Sequence, residues 1–207
     1  PMMSVITNID EDHMETYQGD YQILENTFIE FVHRLPFYGQ VIVCIDDANI
    51  QNMLPKLTRK FLTYGFSSEA DIRAVNVKPN GLQMEFDVEV TEREFFHVVL
   101  NSPGEHNVLN ALAAIAIGLN LDVSISAIQQ ALFEFGGVGR RFEVYPNCLV
   151  SGHNVTLVDD YGHHPTELEA TITTAKNAYP EKRLVLVFQP HRYSRTRDLF
   201  DQFVQAL

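Results

Sequence analysis

The 207-residue sequence predicts an α/β protein built as two successive units, and three observations carry that expectation. Strand-sized apolar runs alternate with stretches of helical periodicity near the start, the pattern of a sheet covered by helices. Strand-like runs then follow one another with a hairpin signal between two of them, which adds an antiparallel patch to that body. Beyond the glycine-bearing segment FGGVGRRFEV (135–144) strand and helix alternate again. A parallel sheet with right-handed crossovers is therefore expected to begin there.

Taken in order, PMMSVITNIDEDH reads as a β-prone strand emerging into an acidic loop, with no starting element before it, so the chain reads as a fragment. Between Tyr21 and Leu35, the residues Ile23, Leu24, Thr27, Phe28, Phe31, Val32 and Leu35 fall at helical spacing and predict an amphipathic helix with one buried stripe. Gln40 to Ile45 is a continuous apolar strand, and DDANIQNMLPKL after it is a short capped helix that ends near Pro55. Lys60 to Phe66 is the next strand. Asp71 to Val77, Leu82 to Val90 and Glu94 to Leu100 supply the antiparallel runs, with KPNG as the hairpin turn. Helices follow over Asn107–Leu119 and over Ser124–Phe135, the second with Ser124 as its cap. After the glycines, Val155 to Val158 and Arg183 to Phe188 are apolar strands, each leading into a helix; Pro165 suits a first helical turn because its missing N–H is not needed there.

Composition narrows the function. A formal charge of -12 argues against a general nucleic-acid or membrane-surface binder, because phosphate backbones are held by basic faces. Cys44 and Cys148 stand far apart without metal-like spacing and read as reduced thiols. No apolar run reaches the roughly 18 residues of a membrane span, and the amino end lacks a signal-like segment. The expected location is the cytoplasm.

The chemistry concentrates at strand ends, where ligands collect in open α/β sheets. VTLVDDYGHHPTE runs from a strand into Asp159, Asp160, Tyr161, His163 and His164 before a helix opens. RLVLVFQPHRYSRTRDLF repeats the plan with His191, Arg192, Arg195 and Arg197, and imidazoles beside guanidiniums suit carboxylate or phosphate. The arginines could equally form a solvated helix face. In NIDEDH, Asp10, Glu11, Asp12 and His13 crowd one strand end, which fits a cation site or an acidic helix entry. In SPGEHNVLN, His106, Asn107 and Asn110 open a helix, where amides can read a base edge or simply cap.

Together and in this order, TNIDEDHMETYQGDY, PGEHNVLNALAA, GVGRRFE, VDDYGHHPTE and FQPHRYSRTR resemble the Mur ligase family, the ATP-dependent amide-forming enzymes of peptidoglycan synthesis. The resemblance implies that residues 1–142 are the later part of the central ATP-binding domain, with antiparallel strands, and that residues 143–207 begin the Rossmann-like C-terminal domain. It implies ligation of L-alanine to UDP-N-acetylmuramate through an acyl phosphate, with ATP and Mg2+ (or Mn2+), in a monomer or homodimer that takes neither nucleic acid nor membrane. A recycling ligase that adds a murein tripeptide, or a non-catalytic nucleotide-binding module, is the alternative. By the same likeness His13 ligates the metal, together with a glutamate that would lie before Pro1. His106, Asn107 and Asn110 line the adenine pocket, Arg141 reaches the ATP phosphates and Asp160 accepts from the ribose. Tyr161 and His163 lie in the cleft where alanine and muramate meet, and His191, Arg192 and Arg195 approach the carboxylates or acyl phosphate. The family's G-x-x-G-K-[ST] phosphate loop is absent from these residues, so the piece alone is expected to be inactive.

Overall fold

The computed structural model describes residues 1–91 and 95–207. Six strands form one sheet whose spatial order follows the chain: β1 (Met3–Ile6), β2 (Gln40–Cys44), β3 (Lys60–Gly65), β4 (Ile72–Asn80), β5 (Gln83–Val90) and β6 (Phe96–Leu100). The first four run parallel, and β4, β5 and β6 are antiparallel neighbours. The expected antiparallel patch is thus a direct extension of the parallel body. Glu94, the expected start of the last strand, lies outside the described residues.

Burial explains each local choice. Val41, Ile42 and Val43 of β2 are fully buried, because a central parallel strand is covered on both faces and needs a continuous apolar run. In β5 the burial alternates, with Met84, Phe86 and Val88 inward, as a strand with one wet face requires. Helix α1 (Tyr21–His33) connects β1 to β2, and α2 (Ala48–Met53) with a 3-10 turn at Leu54–Lys56 connects β2 to β3. Phe31, assigned by spacing to the buried stripe of α1, is instead 46% exposed, while Leu24, Val32 and Leu35 are buried. Helix α3 (Glu105–Asn120) lies across β2, β3 and β4, and α4 (Ile125–Glu134) packs on β6. Val108, Ala111, Leu112, Ile115 and Ala116 make the buried stripe of α3, and its alanines let the helix approach the sheet closely.

The second unit is smaller. β7 (Glu143–Val150) and β8 (His153–Asp159) form an antiparallel hairpin, followed by α5 (Pro165–Ala178), α6 (Tyr193–Asp198) and α7 (Phe200–Ala206). Leu168, Leu199 and Phe203 are its buried cluster, with Phe188 stacked on Phe203 at 5.6 Å between ring centroids. The strand expected over Arg183–Phe188 is not formed. Among the described residues no strand pairs with this segment, and a ladder needs a neighbour to take its N–H and C=O groups. Val187 is accordingly 93% exposed, and the expected parallel pairing in this unit is replaced by the β7–β8 hairpin.

One charged pair sits inside the first unit. Glu25 is buried on α1 and accepts from Lys56 Nζ at 2.6 and 2.7 Å and from Gln22 Nε2 at 2.5 Å. The Lys56 ammonium holds the Glu25 carboxyl below its ordinary value, against the effect of burial. A carboxyl depressed in the folded state adds stability above its unfolded pKa that is lost as pH falls through the folded value. Lys56→Met leaves the carboxylate buried without its counter-charge. Because Lys56 itself is nearly half exposed, we expect a loss of about 1–3 kcal/mol at neutral pH rather than the full cost of a buried pair. Denaturant unfolding at pH 7 and again below pH 4 checks it: the gap between variant and parent should shrink in acid, and an equal gap at both pH values contradicts the assignment.

Candidate active site

The loop after β1 is held by its neighbours. Asn49 Nδ2 donates to the Ile9 carbonyl at 2.7 Å, and Asp47, which caps α2 through the Ile50 N–H, also accepts from the Ile9 N–H at 3.4 Å. Ile9 is fully buried, so the acids that follow it emerge at a defined point beyond the strand ends. Asp12 Oδ1 accepts the His13 N–H at 2.8 Å, and His13 stands in the left-handed region at φ 56°, a conformation uncommon outside glycine. Burial pushes the Asp10 carboxyl above its ordinary value, with Asp47, Glu167 and Asp12 adding to the effect and His164 opposing it.

Across from this loop stands α6. Arg195 donates through Nε to Asp12 Oδ1 at 3.1 Å and through Nη2 to both Asp12 oxygens at 3.0 Å, and its Nη1 donates to the His191 carbonyl at 3.3 Å. Its side chain is 4% exposed. Arg192 Nη1 donates to His13 Nδ1 at 2.9 Å. Burial works against the Asp12 charge, but the His13 N–H and the Arg195 guanidinium together hold its carboxyl below the ordinary range. Residues 179 and 183 positions apart are thereby joined, and both pairs link a sequence-predicted metal loop to a sequence-predicted anion clamp. Arg197, by contrast, pairs with its neighbour Asp198 on an exposed face.

The β8–α5 loop completes this side. Asp160 accepts the Phe142 N–H at 2.8 Å and the Gly162 N–H at 2.6 Å, and the Tyr161 N–H donates to the Arg140 carbonyl at 2.8 Å. The Asp160 carboxylate, expected to meet a ribose, is therefore partly engaged in holding the loop. His163 lies edge-on to Tyr161 at 5.2 Å and to His191 at 6.4 Å, so three of the predicted residues share one cluster of rings. His164 is the N-cap of α5, in a capping box with Glu167, and its Nε2 is buried without a partner.

The proposed base-reading residues open α3. Asn107 Nδ2 donates to the Pro103 carbonyl at 2.7 Å, and Asn110 Nδ2 donates to Asn107 Oδ1 at 3.5 Å, so capping uses part of what a base edge would need. Gly104 precedes the helix at φ +98°, where a Cβ would come within 2.6 Å of both His106 Cε1 and Thr174 Oγ1 of α5. Only glycine lets α3 and α5 meet there. Burial lowers the His106 pKa, the nearby Arg141 lowers it further, and Asp160 opposes them, which places these three candidates within electrostatic reach. An open cleft of about 290 Å³ adjoins Arg141, lined by Asn101, Pro103 and the Gly136–Gly139 segment.

Among the described residues no three His, Cys, Asp or Glu side chains gather as a metal site. Arg192 donates to His13 Nδ1 at 2.9 Å, which puts the ring proton of a neutral imidazole on Nε2, 3.5 Å from Asp12 Oδ2. Asp12, expected at a cation site or an acidic helix entry, instead pairs with Arg195, a partner that nothing local in the sequence marks. Glu167 had no role in the sequence reading, although its place three residues after the His164 cap is the signal that could have found it.

Fold and site define an α/β protein in which arginines of the second unit meet the acidic loop after β1 and an imidazole cluster lies beside them. Residues 1–118 match the Mur ligase middle domain, and residues 140–207 match the Mur ligase glutamate ligase domain. The chain belongs to the Mur ligase family. Over all 207 residues it is 74% identical to the UDP-N-acetylmuramate--L-alanine ligase of Hydrogenovibrio crunogenus, and it spans 45% of that relative's length. The solved UDP-N-acetylmuramate-alanine ligase MurC of Thermotoga maritima superposes with a TM-score of 0.79 at 28% identity, over 100% of this chain and 44% of that one. MurF from Acinetobacter baumannii, at 23% identity and a TM-score of 0.69 over 88% of this chain and 38% of its own, shares the fold.

Replacing Asp12 by Asn removes the counter-charge of a buried guanidinium while keeping the side-chain shape. Because Asp12 is partly exposed, we expect the low end of the cost of breaking a buried pair, about 3 kcal/mol, in the full-length protein. Thermal unfolding checks it, and an unchanged melting temperature means that Arg195 does not depend on Asp12.

Proposed function

We propose that the protein containing this chain joins L-alanine to UDP-N-acetylmuramate, using ATP, in peptidoglycan precursor synthesis. The observation that carries the reading is the meeting of the NIDEDH loop with the PHRYSR segment through Arg192 and His13, and through Arg195 and Asp12. The 74% identity to a ligase of that name supports the substrate assignment. Residues 1–142 and 143–207 are the proposed domain portions, and the cytoplasm is the proposed location. Among the described residues no helix is long and apolar enough to cross a membrane.

The chemistry sets what the residues must do. A carboxylate is a poor electrophile, so transfer of the γ-phosphoryl group of ATP to the muramate carboxylate first makes an acyl phosphate. The alanine amine then adds to the carbonyl carbon, and the tetrahedral intermediate expels phosphate. Negative charge builds at each step, and fixed cationic donors in a shielded site offset it. In the proposal His106, Asn107 and Asn110 hold the base, Asp160 the ribose and Arg141 the phosphates. Tyr161 and His163 flank the reacting carbonyl, with His191 and Arg192 as its anion clamp and Arg195, paired with Asp12, holding that clamp in place. Mg2+ or Mn2+ would supply further charge compensation when bound, and His13 is its proposed ligand. Arg192, which donates to Nδ1 of the same imidazole, would keep that ring in place beside the substrate anion.

Phosphate release by the full-length protein should require UDP-N-acetylmuramate and L-alanine together, and release that is indifferent to alanine sinks the assignment. Arg192→Lys keeps the charge but loses the planar fork. Turnover should fall about 10- to 100-fold, equivalent to about 1.4–2.7 kcal/mol in the barrier. Steady-state kinetics beside a melting curve measure it; normal turnover returns Arg192 to an ordinary surface cation.

A further inference from the structure

Glu167 does more than a helix cap demands. At the third position of α5, a capping box needs one bond from its side chain, the one accepted here from the His164 N–H at 3.2 Å. The same oxygen, Oε2, accepts a shorter bond from the His163 N–H at 2.9 Å. The other oxygen, Oε1, accepts from Arg141 Nη1 at 3.1 Å, from a residue 26 positions earlier. Neither of these bonds serves the helix end.

Around this carboxylate the Arg140–Phe142 segment and the 160–164 loop form one stitched unit. Asp160 binds the Phe142 N–H, the Tyr161 N–H binds the Arg140 carbonyl, and the Arg140 guanidinium lies 4.6 Å from the centre of the Tyr161 ring. Glu167 adds a connection that runs from a guanidinium to the backbone of the histidine pair. Its side chain is about one-third exposed, whereas Arg141 is half exposed and gives this carboxylate one of the five N–H donors of a guanidinium. The Arg141 end of the link is open to an anion and the Glu167 end is anchored.

We propose that Glu167 is a positioning residue that ties Arg141 to the His163–His164 loop, so that nucleotide phosphates meeting Arg141 also set the place of the imidazoles at the acyl centre. The assignment deepens the ligase reading above and rests on it. Glu167 touches neither substrate in this role. It acts by aiming Arg141 at one end and by fixing two backbone N–H groups at the other.

Glu167→Gln separates this role from capping. Glutamine also serves at the third helix position, and its carbonyl oxygen can take the two backbone N–H groups. Its amide nitrogen then faces Arg141, donor against donor, and the link is broken while the cap survives. In the full-length protein we expect unchanged thermal unfolding, an ADP dissociation constant raised about three- to tenfold, as befits a partly exposed charge-assisted bond, and reduced turnover. In an Arg141→Ala background the same change should add nothing to the loss of ADP affinity. Wild-type ADP affinity and turnover in Glu167→Gln leave Glu167 a cap and overturn the proposal, as does an equal further loss without Arg141. If the glutamine variant does not fold, amide hydrogen exchange in Arg141→Met reads the link from its other end. ADP should protect the His163 and His164 amides in the parent and not in the variant; protection gained equally by both overturns the proposal. Failure of the parent to release phosphate on alanine addition strikes the ligase reading instead, and the ADP binding and exchange comparisons still decide the role of Glu167.

Discussion

The guanidinium of Arg195 is nearly buried, and a buried cation persists only where a carboxylate meets it with directed hydrogen bonds. Asp12 supplies that carboxylate from the far side of the chain, with three contacts of 3.0 to 3.1 Å. The rest of the site depends on this pairing. It holds α6 against the first strand end, sets Arg192 beside His13, and brings His191 within ring distance of His163. The two units share a site because neither can satisfy Asp12 and Arg195 alone.

The chain is strongly acidic, yet its junction presents arginines and imidazoles. Many of the acids at strand ends are engaged by backbone N–H groups and do not repel an incoming anion at full strength. Asp46 accepts from Phe66 and Ser67, Asp47 from Ile50 and Ile9, and Asp160 from Phe142 and Gly162. These carboxylates act as internal fasteners for loops that would otherwise leave N–H groups unpaired. A net charge therefore describes solution behaviour and not the local field in which a phosphate would sit. Glu167 is the case that joins both roles, since it fastens a loop and faces Arg141.

Much of the architecture was legible from local pattern. The continuous apolar run of β2, the alternation in β5 and the helical spacing of α3 each reflect burial on two faces, one face or one stripe, and burial of that kind is written in residue order. Ser124 was readable as a cap because its hydroxyl needs only the Ala127 N–H, three residues on. The Arg183–Phe188 segment shows where this reading stops: apolar, β-branched residues favour extended backbone, but a strand exists only beside a partner. Phe31 shows the same limit in a helix, since spacing marks a face without saying how much of it a neighbour covers.

By itself the sequence determined which chemical groups stand at the strand ends, because strand, turn residue and helix cap are neighbours along the chain and their preferences are local. DYGHHPTE stands out as a candidate site segment on those grounds, whereas the strand expected before PHRYSR is not formed. Only the tertiary structure decided which of these groups meet. The partners of Arg195, Arg192 and Arg141 lie 183, 179 and 26 positions away, and no periodicity or local propensity records a contact made by docking separate elements. The same docking placed Gly104 against α5, set Arg192 on His13 Nδ1, buried Arg195 and left Arg197 on an exposed face. Desolvation is the physical reason: burial makes an unpaired charge costly, so it selects partners in space, and space is settled only when the whole chain has folded.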